Sequence, residues 1–267
     1  MLATTTALLH ALQPPALTRV APRARVFASA PSWHRLADES GVEFVGGFTR
    51  PQEMPALPLP EVMLAGRSNV GKSSALNALS GRRKKIAVVS KSPGRTRLIN
   101  LFRVPRVCAI TDLPGYGFAK VSAEMQESWR TNIEAYMRLR EELRLAVLFV
   151  DSQREPQAPA APRTHPLRAA ARRHPSPLAA PAARSRAQPS DAQLLDYLEA
   201  KRVPSLVVAT KVDRLKANQR DDALLTLQEG LGLPSDQPLP FSSTTGEGRR
   251  ELWACMQAQC TKPKPRR

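Results

Sequence analysis

Gly66-Arg67-Ser68-Asn69-Val70-Gly71-Lys72-Ser73 is the segment from which the architecture of this chain follows. It fits the pattern G-x-x-x-x-G-K-[ST] and comes directly after the apolar run 62–65, which predicts a buried strand. Residues 74–79 are typical of a helix that ends at Ser80-Gly81. Glycine lets the backbone curl so that its N–H groups point at an anion, and a helix N-terminus adds partial positive charge. The segment therefore predicts a phosphate-binding loop. A glycine-rich turn that matches by chance is the alternative.

Two side chains of this loop have a predicted chemical role. Lys72 can reach the outer phosphates of a nucleotide as a point charge. The Ser73 hydroxyl can hold a magnesium ion beside those phosphates. The loop alone does not separate ATP from GTP, so the choice of base has to come from later segments.

Composition limits the classes of protein that this chain can be. The 267 residues, 42% of them hydrophobic, suit one substantial core with appendages. The formal net charge of +17 favours a polyanionic partner, most simply nucleic acid. No apolar run approaches the roughly 18 residues that span a bilayer, so we expect no membrane insertion. Cys108, Cys255 and Cys260 lack the spacing of a zinc site or a redox pair, which fits a reducing compartment.

The two ends of the chain are predicted to lie outside the folded domain. We expect residues 1–40 to be a disordered transit peptide, because 1–31 contain arginine, threonine and alanine, no acidic residue and no long apolar centre. The content of alanine, threonine and serine favours a chloroplast slightly over a mitochondrion. The domain itself is expected in two parts, 41–153 and 189–260, followed by a basic tail at 261–267.

Between those two parts lies a segment of different character. Residues 154–188 are rich in proline, alanine and arginine and show no apolar period, which predicts a disordered insertion. Seven arginines stand there against the single acidic residue Glu155. The segment is either a basic arm that contacts RNA or the product of an imperfect gene model or a retained intron, and the sequence leaves both open.

Strands and helices are predicted to alternate through the rest of the domain. The predicted strands are an edge strand at 43–45, a hairpin of 98–104 and 107–111, and buried strands at 145–150 and 205–210. The predicted helices are 122–140, with Ser122 as N-cap, 191–201, 219–229 and 247–259. This alternation predicts an α/β fold with a mostly parallel sheet flanked by helices on both faces.

A second motif indicates a nucleotide switch. Asp112-Leu113-Pro114-Gly115 follows a predicted strand, where Asp112 can hold magnesium through water and the Gly115 N–H can reach the terminal phosphate. Thr96, in the loop before the hairpin, can supply a second hydroxyl to the ion and release it when that phosphate is lost. The predicted catalytic groups are therefore Lys72, Thr96 and Gly115, and the predicted metal ligands are Ser73, Thr96 and Asp112.

Two further motifs select the base. Asp213 of Thr210-Lys211-Val212-Asp213 can accept both the ring N–H and the exocyclic amine of guanine, while the Lys211 stem packs against the ring. Adenine offers no such pair of donors, and a carboxylate left unpaired would penalise it. Phe241-Ser242-Ser243 can close over the guanine with backbone N–H groups. The motifs predict binding of GTP and GDP, and they argue against the weaker alternative of an ATP-dependent kinase or ATPase.

These motifs, together with Ser92-Pro93-Gly94-Arg95-Thr96, Leu98-Ile99-Asn100, Tyr116-Gly117 and Ala119-Lys120-Val121, closely resemble those of the EngB (YihA) GTPases. The resemblance covers residues 43–257 apart from the insertion. It implies a Ras-like P-loop GTPase domain that hydrolyses GTP with magnesium, with Ser73 and Thr96 as metal ligands. It also implies that the nucleotide is lined by Gly94, Arg95, Thr96, Arg97 and Leu98 and by Phe241, Ser242 and Ser243.

The resemblance also implies a biological role. EngB GTPases mature the large ribosomal subunit in bacteria or in organelles descended from them, and the family is described as needed for cell division and septation. We expect a monomer that binds large-subunit precursors and their rRNA in its GTP state. Basic residues beside the Thr96 loop are expected to contact RNA, or else to be solvated: Arg82, Arg83, Lys84, Lys85, Arg95 and Arg97. A nucleotide-dependent adaptor in organelle division is the alternative function.

Two residues bear on the rate of hydrolysis. Tyr116 stands where Ras-type switches carry a glutamine that orients the attacking water, and a phenol cannot act in the same way, so we expect slow intrinsic turnover. Asn69 stands where potassium-activated relatives have an asparagine that helps to hold the monovalent ion. A potassium ion there can offset the charge that develops on the phosphate.

Overall fold

A computed structural model describes residues 32–81, 86, 98–116, 123–153 and 191–263. The insertion, the N-terminal residues 1–31 and most of the Thr96 loop therefore lie outside the described residues. The described α-helices are α1 (Trp33–Ser40), α2 (Lys72–Leu79), α3 (Ala123–Leu139), α4 (Asp191–Ala200), α5 (Ala217–Gly230) and α6 (Arg249–Cys260). The described strands are β1 (Glu43–Phe48), β2 (Glu61–Gly66), β3 (Ile99–Val104), β4 (Cys108–Asp112), β5 (Leu143–Asp151), β6 (Ser205–Thr210) and β7 (Leu239–Pro240).

The described strands form one seven-stranded sheet in the order β1-β3-β4-β2-β5-β6-β7. β2 pairs in parallel with β4 and β5, β5 with β6, and β6 with β7. β3 pairs antiparallel with β4 and with β1, so the predicted hairpin and the predicted edge strand are both confirmed. The sheet is mostly parallel, as the alternation of strands and helices predicts.

Helices cover both faces of the sheet because alternate residues of the buried strands face opposite cores. Val62 and Leu64 of β2 belong to the core under α1, α2 and α6, whereas Met63 and Ala65 belong to the core under α3, α4 and α5. Each large apolar side chain that is fully buried in this way, such as Trp253, contributes about 1.5–3 kcal/mol to folding. The α/β fold with helices on both faces is confirmed.

Helix α1 corrects the expectation that residues 1–40 are disordered. Trp33 and Ala37 are buried in the core beneath α6, and the Trp33 N–H donates to Gln257 Oε1 at 3.0 Å. Asp38 pairs with Arg249 at the start of α6. The folded domain therefore includes residues 33–40. The composition of the N-terminal segment hid this helix, because only a few of its eight residues are apolar.

A buried polar cluster lies at the start of β2, consists of Glu61, Thr111, Tyr136 and Arg140, and is called the Glu61 cluster below. Glu61 accepts hydrogen bonds from Thr111 Oγ1 at 2.6 Å, from the Tyr136 hydroxyl at 2.5 Å, and from Arg140 Nε and Nη2 at 2.9 and 2.8 Å. Arg140 also donates to the Pro55 carbonyl at 3.0 Å. The cluster ties β2 and β4 to α3.

Membrane insertion receives no support from the described helices. Within the described ranges, none of them combines the length and the apolar character that a membrane span requires.

Candidate nucleotide-binding site

The predicted motifs converge at the carboxyl ends of the parallel strands. β2 ends at Gly66, β4 at Asp112, β6 at Thr210 and β7 at Pro240, just before Phe241. In open α/β sheets, ligands bind in the crevice outside these strand ends. The phosphate loop, the Asp112 motif and the Thr210 motif thus occupy one edge of the sheet.

The phosphate loop has the backbone that its glycines predict. Gly66 has φ 152°, and a Cβ at this position would lie 2.6 Å from the Phe149 carbonyl oxygen, so another residue cannot fit without moving β5. Gly71 has φ 110° and immediately precedes α2, whose first residue is Lys72. Asn69 also takes a left-handed conformation, with φ 62°. The loop therefore runs from the end of β2 into a helix N-terminus, the arrangement that binds phosphate.

Two polar side chains hold the loop to the neighbouring strands. Thr210 Oγ1 donates to the Val70 carbonyl at 2.6 Å and lies 2.9 Å from that of Val150. Lys211 Nζ donates to the Asn69 carbonyl at 2.9 Å and pairs with Asp151 Oδ2 at 2.7 Å. The predicted base motif thus also supports the phosphate loop. The contact of Asp151 with Lys211 was not predicted, although an aspartate at the carboxyl end of a buried strand is a usable signal.

Lys72 and Asp112 form a buried, loosely paired couple in the centre of the site. Lys72 Nζ lies 3.5 Å from Asp112 Oδ1, and both side chains are buried. Burial raises the pKa of the Asp112 carboxyl above its ordinary value, and the Lys72 ammonium offsets part of that rise. At 3.5 Å the pair is at the outer limit of hydrogen bonding, and we treat it as an attraction between charges.

Two buried oxygens at this site have no hydrogen-bond partner among the described residues: Asp112 Oδ1 and Ser68 Oγ. Buried polar atoms are almost always satisfied, so an exception indicates an ion or ligand group. Hydroxyl and carboxylate oxygens are the donors that magnesium prefers. Asp112, with Ser73 in the first turn of α2, fits a magnesium ion that would neutralise charge on the phosphates.

Gly115 is pressed against the phosphate loop. A Cβ at Gly115 would lie 2.8 Å from Ser68 Oγ and 3.0 Å from Ser68 N. The Ser68 N–H donates to the Tyr116 carbonyl at 2.9 Å, and Arg67 and Tyr116 form a parallel bridge. Only glycine permits this approach, which places the Gly115 backbone beside the loop that is predicted to hold the phosphates.

The side chain of Tyr116 points into the core, away from the phosphate loop. Its hydroxyl donates to Asp191 Oδ1 at 2.6 Å, and its ring lies edge-on to Trp129 with centroids 5.1 Å apart. Burial raises the pKa of the Tyr116 phenol well above its ordinary value, with Asp191 adding to the rise, so the hydroxyl is a permanent donor. The phenol therefore does not stand where an attacking water would be oriented.

The residues that are predicted to bind the base follow β6 and β7. Val212 is buried, and Asp213 is exposed in the 3-10 helix Val212–Arg214 that follows β6. Ser242 is buried, and its Oγ accepts the N–H groups of Thr244 and Thr245 at 3.2 and 3.1 Å. The exposed carboxylate of Asp213 is open to a ligand, whereas the Ser242 hydroxyl serves the turn itself.

Some predicted residues have no structural description here. Gly94, Arg95, Thr96 and Arg97 lie outside the described residues, and so do Gly117, Ala119, Lys120 and Val121. Leu98 is described, is half-exposed and precedes β3. Leu113 is buried and Pro114 is half-buried in the segment after β4. The assignment of these residues to a bound nucleotide remains a prediction.

Comparison with known proteins agrees with the geometry. The family model described as 50S ribosome-binding GTPase matches residues 61–211. A probable GTP-binding protein EngB of Pelotomaculum thermopropionicum is 40% identical over 211 residues, which cover 79% of this chain and 90% of that protein. The homologous protein of Geobacter metallireducens is 39% identical over 215 residues, 80% of this chain and 90% of its own length. A crystal structure of a probable GTP-binding protein EngB superposes with a TM-score of 0.50 at 26% identity, covering 72% of this chain and 94% of that one.

The phosphate loop, the glycine pressed against it and the strand-end aspartates on a mostly parallel sheet define a P-loop GTPase, an enzyme that binds guanine nucleotide and hydrolyses GTP. Within this class the matches extend over most of the chain. The chain belongs to the EngB family of GTP-binding proteins.

Proposed function

We propose that this GTPase is an assembly factor for the large subunit of an organellar, bacterial-type ribosome. It binds precursor particles in its GTP state and leaves after hydrolysis. The observation that carries the proposal is the match of residues 61–211 to the family described as 50S ribosome-binding GTPase. The net charge of +17 supports a partner that contains RNA.

Sedimentation of the full chain with bacterial-type large-subunit particles tests this function. We expect co-migration with a non-hydrolysable GTP analogue and little with GDP. Small-subunit particles provide the matched control for non-specific binding by a basic protein. Because contacts to rRNA phosphates release counterions, co-migration should weaken steadily as salt rises. Co-migration that ignores either the nucleotide or the salt would contradict the proposal. Absence of binding to every particle would favour the adaptor in organelle division.

Potassium is proposed to assist the hydrolysis. The Tyr116 hydroxyl is engaged by Asp191, so the side chain after Gly115 offers nothing to the attacking water. Asn69 is exposed on the phosphate loop, which supports a role for its side chain in holding a monovalent cation. Replacing sodium by potassium at constant ionic strength should raise the GTPase rate, and Asn69→Ala should remove most of that rise. An equal rate in both salts, with or without ribosomal particles, would refute this role.

Residues 1–31 are proposed to direct the chain to an organelle, with the chloroplast favoured over the mitochondrion. The support is compositional: arginine, threonine and alanine without any acidic residue. Imaging of the full chain with a C-terminal fluorescent tag, beside the same chain lacking residues 1–31, tests the proposal. We expect chloroplast signal for the first and cytosolic signal for the second, and identical distributions would contradict it.

A further inference from the structure

The two residues on either side of Gly115 are each hydrogen-bonded to a side chain from a helix. The carbonyl of Pro114, just before it, accepts a hydrogen bond from Trp129 Nε1 at 2.8 Å. The side chain of Tyr116, just after it, is fixed by Asp191 at 2.6 Å. Trp129 belongs to α3 and Asp191 is the first residue of α4. Both neighbours of Gly115 are thus bound to helices that take no other part in the site.

The opposite side of the same segment faces the phosphate loop. The Ser68 N–H donates to the Tyr116 carbonyl, and Gly115 approaches Ser68 so closely that no side chain fits between them. The Gly115 peptide is therefore clamped between the helices and the loop. A backbone N–H contributes to catalysis only when it is already aimed at the position where charge develops, because reorientation during the reaction costs energy.

The hydrogen bond of Tyr116 is entirely buried. Tyr116 and Asp191 are each 4% exposed, and the Tyr116 ring lies edge-on to Trp129. Burial raises the pKa of the Tyr116 phenol and also that of the Asp191 carboxyl. A buried bond to a carboxylate is stronger than a neutral one and fixes the orientation of its donor. Because the bond fixes the side chain of the residue that directly follows Gly115, it can also restrict the Gly115 peptide.

We propose that Asp191 and Trp129 are positioning residues of the GTPase reaction, which hold Gly115 against the phosphate loop through Tyr116 and Pro114. The Gly115 N–H is predicted to contact only the terminal phosphate. The contacts of Asp191 and Trp129 should therefore strengthen the binding of GTP and of the transition state but not that of GDP. These contacts also connect the start of α4 to the phosphate site. The proposal concerns the hydrolysis itself and does not depend on the ribosomal role.

Tyr116→Phe tests the proposal, because it removes one hydroxyl and keeps the ring packed on Trp129. We expect the dissociation constant for a non-hydrolysable GTP analogue to rise, and kcat to fall, by about tenfold, the size of one charge-assisted hydrogen bond. The dissociation constant for GDP should change by less than about twofold, since GDP lacks the phosphate that Gly115 would contact. The measured quantity is the ratio of the two affinities.

Variants of Asp191 separate positioning from packing. Asp191→Ala should reproduce the loss seen in Tyr116→Phe, and the double variant should be no worse than either single one, because both remove the same bond. Asp191→Asn keeps an acceptor oxygen and should restore the affinity ratio to within about threefold of the natural protein. Trp129→Phe, which loses the indole N–H and also some ring volume beside Tyr116, should lower the ratio by about threefold to fivefold.

Tyr136→Phe is the matched control. Tyr136 also donates from a fully buried hydroxyl to a carboxylate, Glu61 at 2.5 Å, but at the edge of the sheet away from the phosphate loop. It should lower the melting temperature without changing the ratio of GTP to GDP affinity. If Tyr116→Phe behaves in the same way, or weakens both nucleotides equally, the bond to Asp191 is merely structural and the proposal is wrong.

Discussion

A buried acidic side chain lies at the start of β2 and another at the end of β4, and the two differ in how fully they are hydrogen-bonded. The two ends of the parallel strands are called the two edges below. Glu61 is 1% exposed and accepts four hydrogen bonds from three side chains. Asp112 is 3% exposed, has one ammonium group at 3.5 Å, and has an oxygen without a hydrogen-bond partner among the described residues. A buried carboxylate with all its hydrogen bonds stabilises the fold. A buried carboxylate that lacks them is available to an ion or a ligand group.

The largest effect is expected where the carboxylate is satisfied. Glu61→Ala leaves the Arg140 guanidinium buried without its counter-ion and the Tyr136 and Thr111 hydroxyls without their acceptor. Breaking a buried pair on one side costs about 3–5 kcal/mol, so we expect the free energy of unfolding to fall by that amount. Denaturant titration of the nucleotide-free protein measures it.

Glu61→Gln is the control for this prediction, because it keeps the shape and one acceptor oxygen. It should cost less than Glu61→Ala and leave the GTP affinity unchanged. A loss of GTP affinity in the folded Gln variant would show that the two edges are not separate in function, and the comparison between them would fail.

At the phosphate edge, Lys72→Ala should weaken nucleotide binding and leave the stability of the fold nearly unchanged. Lys72 has a single weak partner in Asp112 at 3.5 Å, and after its loss the buried Asp112 carboxyl, whose pKa burial already raises, can be neutralised by a proton. We expect the free energy of unfolding to change by no more than about 1 kcal/mol, while the affinities for GTP and GDP fall by about a hundredfold, as for loss of a buried charge contact. Calorimetric titration with each nucleotide measures the affinities. Arg103→Ala, which breaks only the exposed pair with Glu43, is the neutral control.

Asp112→Asn should separate the effect of the buried carboxylate on stability from its effect on ligand binding. Burial raises the pKa of this carboxyl, so its ionised form destabilises the empty protein. The amide removes that cost, and we expect the nucleotide-free protein to gain up to about 1 kcal/mol in unfolding free energy. Conversely, the rise in melting temperature that magnesium and a GTP analogue produce in the natural protein should shrink, because ligand stabilisation follows affinity. A variant that loses stability without ligand would contradict this reading of the site.

The strand-end positions of the phosphate-binding residues could be predicted from the sequence, whereas the Glu61 cluster was not predicted. The loop 66–73, Asp112 and Thr210 each follow a buried apolar run, so their strand-end positions follow from patterning alone. The connections that stabilise them are long-range. Tyr116 meets Asp191 across 75 positions, and Lys211 meets Asp151 across 60. No pattern within a window of a few residues encodes such pairs, which only the folding of the sheet brings together.

The predicted limits of helices and strands were wrong where the local composition did not match the burial of the residues in the fold. α1 was missed because Trp33 and Ala37 are the only buried apolar residues in eight, and its stability comes from α6. β5 begins at Leu143, two residues earlier than predicted, because Leu143 pairs with Glu61 although Arg144, which the register skips, interrupts the apolar run. In both cases packing outweighs the local signal.

The smallest expected effects compare one hydroxyl of the Glu61 cluster with one hydroxyl of the phosphate loop. Thr111→Val removes the donor at 2.6 Å from Glu61 while keeping its shape, and should cost about 1–1.5 kcal/mol of unfolding free energy. Ser68→Ala removes a buried hydroxyl that lacks a partner among the described residues, and should cost about 0.5 kcal/mol or less in the nucleotide-free protein. The informative result is which of the two variants loses more unfolding free energy. With a bound GTP analogue, Ser68→Ala should lose more than Thr111→Val, because the ligand then supplies Ser68 with the hydrogen-bond partner that Thr111 already has. Equal costs in both states, measured by denaturant titration with and without the analogue, would mean that the unsatisfied oxygens of the phosphate edge have nothing to do with the nucleotide.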